Sequence, residues 1–424
     1  MTYNPKLLVN KQVSMIDEAI HIQVIGLLPN VPIELKATRI SAGPKKFKLQ
    51  SFAKFIADEN GTVDLKLAKP TEGTYLKVDA MGLFWSLERK EEVQDVEQVI
   101  TDKLAPHKLT ISLHIQNEVV DELELIRLWT APHIEREDVR DNGLVATYFY
   151  HSSKEKKPGV IVVGGSEGGI YEYLASLLAA HGFNVLALGY FGVEDLPKGL
   201  HHIPKEYFKL GIDWMKVRAE VSEGWLGIHG TSRGAELALL TGSLFKDIHA
   251  VVALNGFAVP FAGIVPWTDD EFLPPAWTMD GELIPYLRPK NPVEIALQCK
   301  EMWKNGKGNP LGLWYKTLAS DPKEVAAKAI PVERINGPVL IIGGEADSAD
   351  SVGLSKVAIE RLEQGNFKYE YGHLIYPNAG HSIGFPYTFQ SFTEGTKQAT
   401  NFASVESWEK TIAFSHQSFE AIQK

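Results

Sequence analysis

The amino-acid sequence predicts two parts of different fold class, an all-β N-terminal part and a doubly wound, mostly parallel α/β part after it. Short β-type runs separated by turn residues fill roughly the first 140 positions. From Pro158 onward, buried apolar runs alternate with helical patterns, which is typical of a parallel sheet covered by helices. The chain has 424 residues, more than one hydrophobic core usually holds. We therefore expect two domains, 1–140 and 141–424.

The N-terminal runs have no strong helical period. Turn signals such as Asn60-Gly61 and Pro44 separate them. Runs at this spacing indicate an antiparallel, immunoglobulin-like sandwich. The predicted strands are His21–Leu27, Ile33–Arg39, Thr62–Leu67, Tyr75–Val78, Leu109–Ile115 and Glu122–Trp129.

The α/β part includes an early polar stretch, Ser152–Lys157, which predicts a hairpin-type turn. Further along, apolar runs predict strands, and patterns with a period of 3.6 residues predict helices. The predicted strands are Val160–Val163, Pro338–Ile342 and Tyr369–Tyr376, and the predicted helices are Tyr171–Ala180 and Pro204–Arg218.

The stretch from Trp225 to Leu240 contains a serine with one glycine two positions before it and another two positions after it. An apolar run precedes this pattern and a helical pattern follows it. In a sharp strand-to-helix turn there is no room for side chains on either side of the serine, so the turn requires Gly230 and Gly234. The pattern is the nucleophile elbow of an α/β-hydrolase fold, and it makes Ser232 the candidate nucleophile.

A serine hydroxyl is a weak nucleophile at neutral pH, so this prediction requires a histidine base and a carboxylate later in the chain. Asp347 follows the apolar run Pro338–Ile342, and His381 lies in the turn-rich loop after Tyr376. The order Ser232, Asp347, His381 is the one that α/β hydrolases use. We predict that His381 acts as general base and then general acid, and that Asp347 orients it.

Alternatives to Asp347 exist, because Glu345 and Asp350 lie on the same loop and the sequence alone does not separate them. The remaining histidines near these motifs are expected to be structural or solvated. They are His201, His202, His229 and His373.

Acyl transfer also needs N–H donors for the negative charge that develops on the carbonyl oxygen. One predicted donor is the backbone N–H of Arg233, the residue after the nucleophile. The other is assigned to the glycine-rich loop Gly165-Ser166-Glu167, which follows a predicted strand. Glycine-rich loops also cradle phosphates in dinucleotide folds, but this loop lacks the G-x-G-x-x-G spacing, and the elbow downstream explains it better.

Several motifs occur in a fixed order along nearly the whole chain. In this order they resemble the acyl-CoA thioesterase and bile acid-CoA:amino acid N-acyltransferase family, the type I thioesterases. The resemblance implies a β-sandwich before an α/β-hydrolase domain, a triad of Ser232, Asp347 and His381, and an acyl-CoA substrate. Besides the elbow, the matching segments are Met81–Leu87, Val139–Leu144, Gly165–Tyr173, Glu194–Lys198, Ile330–Arg334 and Tyr376–His381.

One departure from the family concerns the nucleophile, because its acyltransferase branch has a cysteine where this chain has Ser232. The single cysteine, Cys299, lies in a predicted helical stretch far from the elbow and is expected to be a packing residue. We therefore expect hydrolysis of acyl-CoA thioesters through an acyl-serine intermediate. Two alternatives stay open. The one that is chemically more similar is an N-acyltransferase or a general carboxylesterase that uses the same triad, and the less similar one is a non-enzymatic binding protein.

A second departure is the stretch 259–328, which is longer and more aromatic than is usual in the family. Segments inserted near the strand ends of this fold commonly cover the active site, so a cap is expected. Its aromatic residues either line an acyl pocket or form the cap's own core, and both interpretations stay open. They are Trp267, Trp277, Tyr286, Trp303, Trp314 and Tyr315.

Composition narrows the classes of function. The formal charge of −10 disfavours a nucleic-acid partner, and one cysteine gives no disulfide framework. No apolar run is long enough to span a bilayer, and no signal-peptide pattern is present, so a cytoplasmic protein is expected. No cofactor and no metal are expected, because no residues have the spacing of a metal site. The expected partner is a small-molecule acyl-CoA or ester, and the oligomeric state stays open.

Overall fold

The computed structural model describes residues 3–41, 45–93, 102–265, 273–306, 310–390 and 394–423. These residues form two compact units. The first comprises Met1–Ala131 and Phe385–Thr393, and the second comprises Pro132–Gly384 and Glu394–Lys424. The domain limits 1–140 and 141–424 stay a prediction. Pro44 and Trp267 lie outside the described residues.

The first unit is built of strands, with one described helical turn. The strands are β1 (Lys6–Val9), β2 (Val13–Met15), β3 (Ile22–Ile25), β4 (Pro32–Ile40), β5 (Phe47–Ile56), β6 (Val63–Asp64), β7 (Glu72–Gly73), β8 (Glu88–Glu92), β9 (His107–Ile115) and β10 (Glu118–Leu128), and the turn is α1 (Gly82–Trp85).

Two sheets organise this unit. The larger has the order β2-β10-β9-β4-β5-β7, with β8 also paired to β5, and the smaller has the order β1-β3-β6. The pairing of β2 with β10 is parallel and the others are antiparallel. Every second side chain of β4 is buried, as expected for a strand with one face on a core. The predicted all-β character of the N-terminal part is confirmed.

One strand prediction in this unit was wrong, and one long strand was not predicted. Tyr75–Val78 is not a strand, because the Tyr75 ring is buried against Trp85, with ring centroids 6.0 Å apart, while its backbone joins no ladder. Conversely, β5 was not expected. It alternates buried and partly exposed residues, but polar Ser51 occupies an inward position, where its hydroxyl donates to the Leu83 carbonyl at 2.5 Å. That hydroxyl weakens the apolar alternation by which strands are recognised.

The second unit alternates strands and helices. Its strands are β11 (Ile134–Val139), β12 (Val145–His151), β13 (Lys157–Val163), β14 (Asn184–Gly189), β15 (Ile203–Pro204), β16 (Val221–Thr231), β17 (Ala250–Leu254), β18 (Trp277–Met279), β19 (Glu282–Leu283), β20 (Val339–Gly344) and β21 (Tyr371–Tyr376). Its helices are α2 (Glu172–Ala180), α3 (Lys205–Lys216), α4 (Arg233–Leu244), α5 (Pro292–Asn305), α6 (Pro310–Leu318), α7 (Pro322–Lys328), the 3-10 turn Val332–Arg334, α8 (Ser351–Gln364) and α9 (Lys397–Gln423).

The central sheet of this unit has the order β11-β12-β14-β13-β16-β17-β20-β21. Strand β12 is antiparallel to both of its neighbours, whereas the strands from β14 to β21 along this order are parallel. Helices connect the parallel strands, so their carboxyl ends meet at one edge of the sheet. This is the α/β-hydrolase arrangement, and the predicted fold class is confirmed.

The polar stretch Ser152–Lys157 does not form a hairpin. It joins β12 to β13, but these two strands are not paired, because β14 lies between them in the sheet. The sequence shows that the chain turns at this point, but it does not show which strands later become neighbours.

The segment between β17 and β20 holds the expected cap residues. Phe257 and Phe261 are buried, and the Tyr315 ring stacks on Phe257 with centroids 5.0 Å apart. Trp277 is also buried, whereas Trp303 on α5 is 64% exposed. The core interpretation therefore accounts for Trp277 and Tyr315, and a pocket-lining role stays a prediction.

No helix in the described part of either unit is both long and apolar enough to cross a lipid bilayer.

Candidate active site

The turn from β16 to α4 is tightly packed around Ser232. Ser232 has φ of +56° and ψ of −121°, a conformation that L-residues rarely adopt and that costs free energy. A Cβ atom on Gly230 would lie 1.9 Å from the carbonyl oxygen of Gly234, and one on Gly234 would lie 2.3 Å from that of Gly164. Both glycines are therefore required by close backbone contacts, as the elbow motif predicts.

The side chains of Ser232, His381 and Asp347 lie within hydrogen-bond distance of one another in series. His381 Nε2 is 3.0 Å from Ser232 Oγ, and His381 Nδ1 is 2.8 Å from Asp347 Oδ2. The Asp347 side chain has no exposed surface, and its Oδ1 accepts a hydrogen bond from the Ala349 N–H at 2.8 Å. The structure thus brings together the three residues that the motifs point to.

The topology of the sheet explains this proximity. Ser232 directly follows β16, Asp347 lies on the loop after β20, and His381 lies on the loop after β21. These three strands are parallel, so the loops after them leave the same edge of the sheet. For that reason Ser232 meets Asp347 and His381, both of which lie more than 100 positions later in the sequence.

Further side chains, which the sequence motifs did not reveal, hold the His381 loop. Asn255, directly after β17, donates from Nδ2 to the carbonyls of His381 at 2.9 Å and Ile383 at 2.8 Å. The Glu394 Oε2 atom accepts from the Ser348 N–H at 3.0 Å and the His381 N–H at 3.4 Å. Asn255 could have been recognised as a candidate site residue because it is a polar residue directly after a buried strand. No sequence motif indicates Glu394.

The rival acids on the Asp347 loop have other surroundings. Asp350 caps α8, where its Oδ1 accepts from the Gly353 N–H at 3.1 Å, and burial raises the pKa of its carboxyl. Glu345 is exposed. The geometry therefore favours Asp347 as the partner of His381.

The other histidines have surroundings consistent with structural roles. His229 is buried in β16, and burial lowers its pKa to about 3. His373 lies 3.0 Å from the Ser355 hydroxyl through Nε2, and burial lowers its pKa as well. His201 and His202 lie in the loop before α3 with their rings 5.8 Å apart.

The charges around His381 favour its protonated form. Burial alone would lower the pKa of His381, but the hydrogen bond to Asp347 and the negative charges of Asp347, Glu394 and Glu167 outweigh burial. The pKa is therefore raised above the ordinary value of 6.5. A histidine with this pKa is a strong enough base to take a serine proton and returns it readily to a leaving group.

We predict from this shift how activity depends on pH. Only neutral His381 accepts the Ser232 proton, so kcat/KM is expected to fall as the pH drops through the pKa of His381. Because that pKa is raised, the midpoint of the acid limb is expected above pH 6.5. A pH profile of kcat/KM measures it, and a midpoint below 6.5 would show that the carboxylates do not act on His381 as described.

The predicted oxyanion donors lie beside the nucleophile. Arg233 is the first residue of α4. A Cβ atom on Gly165 would lie 3.1 Å from Ser232 Cβ, so this backbone directly adjoins the nucleophile. Ser166 and Glu167 form the exposed middle of a turn that the Gly168 N–H closes on the Gly165 carbonyl at 3.5 Å. A role for these groups in binding an oxyanion stays a prediction.

A buried polar cluster lies behind the nucleophile, and sequence reasoning missed it. The fully buried Glu236, on the first turn of α4, accepts from Trp277 Nε1 at 2.5 Å, and its Oε2 lies 3.4 Å from Arg233 Nε. Arg233 also donates from Nη2 to the Phe261 carbonyl at 3.2 Å. Burial raises the pKa of Glu236, and the nearby charge of Arg233 opposes that shift. The cluster ties the start of α4 to the segment after β17.

In the described ranges, no group of three or more His, Cys, Asp or Glu side chains is placed to hold a metal ion. The arrangement of a strained serine, a half-buried histidine and a buried carboxylate suits nucleophilic acyl transfer.

Comparison with known proteins gives matches over both units. Residues 17–141 match the family model described as the acyl-CoA thioester hydrolase/BAAT N-terminal region, and residues 203–421 match the BAAT/acyl-CoA thioester hydrolase C-terminal model. The chain is 30% identical to acyl-coenzyme A thioesterase 6 of Mus musculus, covering 94% of this chain and 93% of that protein. It is 31% identical to the bile acid-CoA:amino acid N-acyltransferase of Mus musculus, with 88% and 86% covered.

Among solved structures, esterase B from Lactobacillus Rhamnosis is similar, with 14% identity and a TM-score of 0.39. The likeness covers 69% of this chain and 90% of that chain. The fold of the second unit is defined by the strand order of its central sheet.

Proposed function

We propose, on the premise that this chain belongs to the acyl-CoA thioester hydrolase/BAAT family, that it is a serine hydrolase that cleaves acyl-CoA thioesters to CoA and a free carboxylic acid. The observation that supports this most is the hydrogen-bonded series Ser232, His381 and Asp347 at the carboxyl edge of the sheet. The choice of acyl-CoA thioesters as substrates is supported by the relatives named as acyl-coenzyme A thioesterases, which match more than nine-tenths of this chain.

In the first half-reaction, His381 Nε2 accepts the proton of Ser232 Oγ as the oxygen attacks the thioester carbonyl carbon. The tetrahedral intermediate collapses, the carbon–sulfur bond breaks, and the proton on His381 passes to the departing CoA sulfur. Asp347 accepts the Nδ1–H hydrogen bond throughout and stabilises the imidazolium without being protonated. The product of this half-reaction is an acyl-Ser232 ester.

In the second half-reaction, His381 takes a proton from water while the water oxygen attacks the acyl-Ser232 carbonyl. Collapse of this intermediate breaks the ester bond and returns the proton to Ser232 Oγ, which releases the carboxylic acid. In both halves, the N–H groups of Arg233 and Gly165 are the proposed donors to the oxyanion.

An N-acyltransferase is the second candidate, because similar relatives include amino acid N-acyltransferases at 30% and 31% identity. On the same acyl-enzyme, an amine would then attack in place of water. The serine nucleophile favours hydrolysis in our proposal, since the resemblance associates the transferase branch with cysteine. A general carboxylesterase on the same triad is the remaining alternative. The cytoplasmic location expected from the sequence stays part of the proposal.

Product analysis with competing acceptors tests this proposal. An acyl-CoA substrate is incubated with the protein in the presence and absence of glycine as an amine acceptor, and p-nitrophenyl esters are assayed in parallel. We expect free acid and CoA in equal amounts, with no amide and with CoA release unaffected by glycine. Accumulation of N-acylglycine would assign the transferase instead, and ester cleavage without CoA release would assign the esterase.

A further inference from the structure

The proposed second oxyanion donor, the Gly165 N–H, is already hydrogen-bonded to a carboxylate. The Gly165 N–H donates to Glu167 Oε1 at 3.3 Å, within the same turn. We propose that Glu167 controls access to the oxyanion site: it occupies this donor in the free protein and leaves it when the acyl carbonyl binds. The proposal rests on the function proposed above, because it takes Ser232 as the nucleophile.

The loop is fixed so that this N–H is directed to one place. The Tyr190 hydroxyl donates to the carbonyl of Gly164 at 2.7 Å, which belongs to the same peptide unit as the Gly165 N–H. In a trans peptide the two groups point in opposite directions, so anchoring the carbonyl also fixes the N–H. The Gly169 N–H donates to the Phe191 carbonyl at 2.8 Å and holds the far end of the turn.

The carboxylate lies beside the reacting groups. A Cβ atom on Gly165 would lie 2.8 Å from Glu167 Oε2 and 3.1 Å from Ser232 Cβ, so both atoms border the same small space. Glu167 is also one of three carboxylates whose charge raises the pKa of His381, with Asp347 and Glu394. An anion in this position opposes the negative charge that develops on the substrate oxygen.

The Glu167 side chain is exposed, whereas the backbone around it is held in place. It can therefore turn into solvent by rotation of its own bonds, without moving the loop. Since its oxygen and the substrate oxygen need the same N–H, substrate must displace a charge-assisted hydrogen bond before the oxyanion is fully stabilised. Glu167 thus sets how readily the second donor becomes available.

Covalent labelling with a fluorophosphonate tests this directly, because the phosphonyl oxygen occupies the oxyanion position when Ser232 attacks the phosphorus and fluoride leaves. We expect Glu167→Ala to raise the second-order labelling rate constant roughly three- to tenfold, the factor for the net free energy of one ordinary hydrogen bond, because the exposed Glu167 carboxylate is solvated once it leaves the N–H. Glu167→Gln keeps a weaker acceptor and is expected to give a smaller rise. The matched control is Glu370→Gln, which removes an exposed carboxylate at the opposite end of β21 from the His381 loop.

A second readout separates this role from a structural one. Removing the Glu167 charge is expected to lower the pKa of His381, so the acid limb of the kcat/KM profile moves to lower pH in both Glu167 variants and stays in place in Glu370→Gln. A residue that only shaped the loop would slow labelling without that displacement.

The outcomes distinguish this inference from the proposed function. No labelling of Ser232 in the unaltered protein would overturn both. Labelling of the unaltered protein, with an equal or slower rate in Glu167→Ala, would overturn this inference alone. If Glu167→Ala shows no cooperative unfolding transition and is therefore not properly folded, the labelling rate of Glu167→Gln tests the inference. Glutamine preserves the side-chain volume and the turn.

Discussion

Replacing Ser232 by alanine is expected to lower acyl-CoA cleavage by about 10⁶-fold, because no acyl-enzyme can form. The fold should be retained, since alanine keeps the Cβ atom that the strained Ser232 conformation already accommodates. Steady-state assays measure the loss, and thermal unfolding measures stability, for which we expect a change within about 1 kcal/mol. Fluorophosphonate labelling should disappear as well.

The matched control for this change is Ser243→Ala. Ser243 lies on α4, the helix that begins after Ser232, and its buried hydroxyl donates to the Leu240 carbonyl at 2.8 Å. Its removal should cost some stability and leave turnover unchanged. Full activity in Ser232→Ala would contradict the mechanism, whereas equal losses in both variants would show that the helix rather than the hydroxyl had been damaged.

Replacing Asp347 by asparagine is expected to lower kcat by about 10⁴-fold with little change in fold. The asparagine amide can donate a hydrogen bond to His381 Nδ1, and the ring proton of His381 then lies on Nε2. A protonated Nε2 cannot accept the Ser232 proton. The negative charge that stabilises the imidazolium is also lost. Rates with a saturating acyl-CoA measure the effect, and the acid limb of the pH profile should move to lower pH.

Asp350→Asn is the matched control, because it makes the same chemical change on the same loop. Asp350 caps α8 in a left-handed conformation with φ of +54°, and asparagine serves well both as a cap and in that conformation. We expect nearly unchanged activity and stability. A large loss in Asp350→Asn with a small one in Asp347→Asn would reverse the assignment of the acid.

The sequence motifs predicted which of the candidate side chains lie together better than they predicted the contacts around those side chains. The physical reason is that the motifs depend on local geometry. The elbow needs glycine at 230 and 234 because a Cβ atom at either position would overlap a carbonyl oxygen, and that need is visible in a short stretch. Asp347 follows the run that forms the buried strand β20, and His381 follows the run that forms the edge strand β21, so parallel pairing brings the ends of the two runs together.

Contacts between segments that are distant in the chain could not be predicted from the sequence. Glu236 and Trp277 meet only because the segment after β17 folds back on α4, and nothing near either residue indicates the other. Similarly, Glu167 was predicted as part of a donor loop, whereas its side chain accepts from that loop. The direction in which a side chain turns depends on backbone geometry that motif spacing does not give.

The assignment of Phe385–Thr393 to the first unit was also unexpected. This segment begins shortly after His381, and its Phe385 ring packs edge-on against Trp129 with centroids 5.1 Å apart. Aromatic residues in a loop indicate that the loop is buried, but they do not indicate which residues it packs against. A prediction with a single domain boundary therefore misses a segment that returns to the first unit.

The central claim is that acyl-CoA thioesters are cleaved through Ser232. The most direct measurement is release of the CoA thiol from acyl-CoAs of graded chain length, comparing the unaltered protein with Ser232→Ala. Our account predicts release that depends on the serine and has a clear optimum of chain length. No release from any acyl-CoA, with p-nitrophenyl esters still cleaved through Ser232, would contradict the thioesterase assignment and leave an esterase.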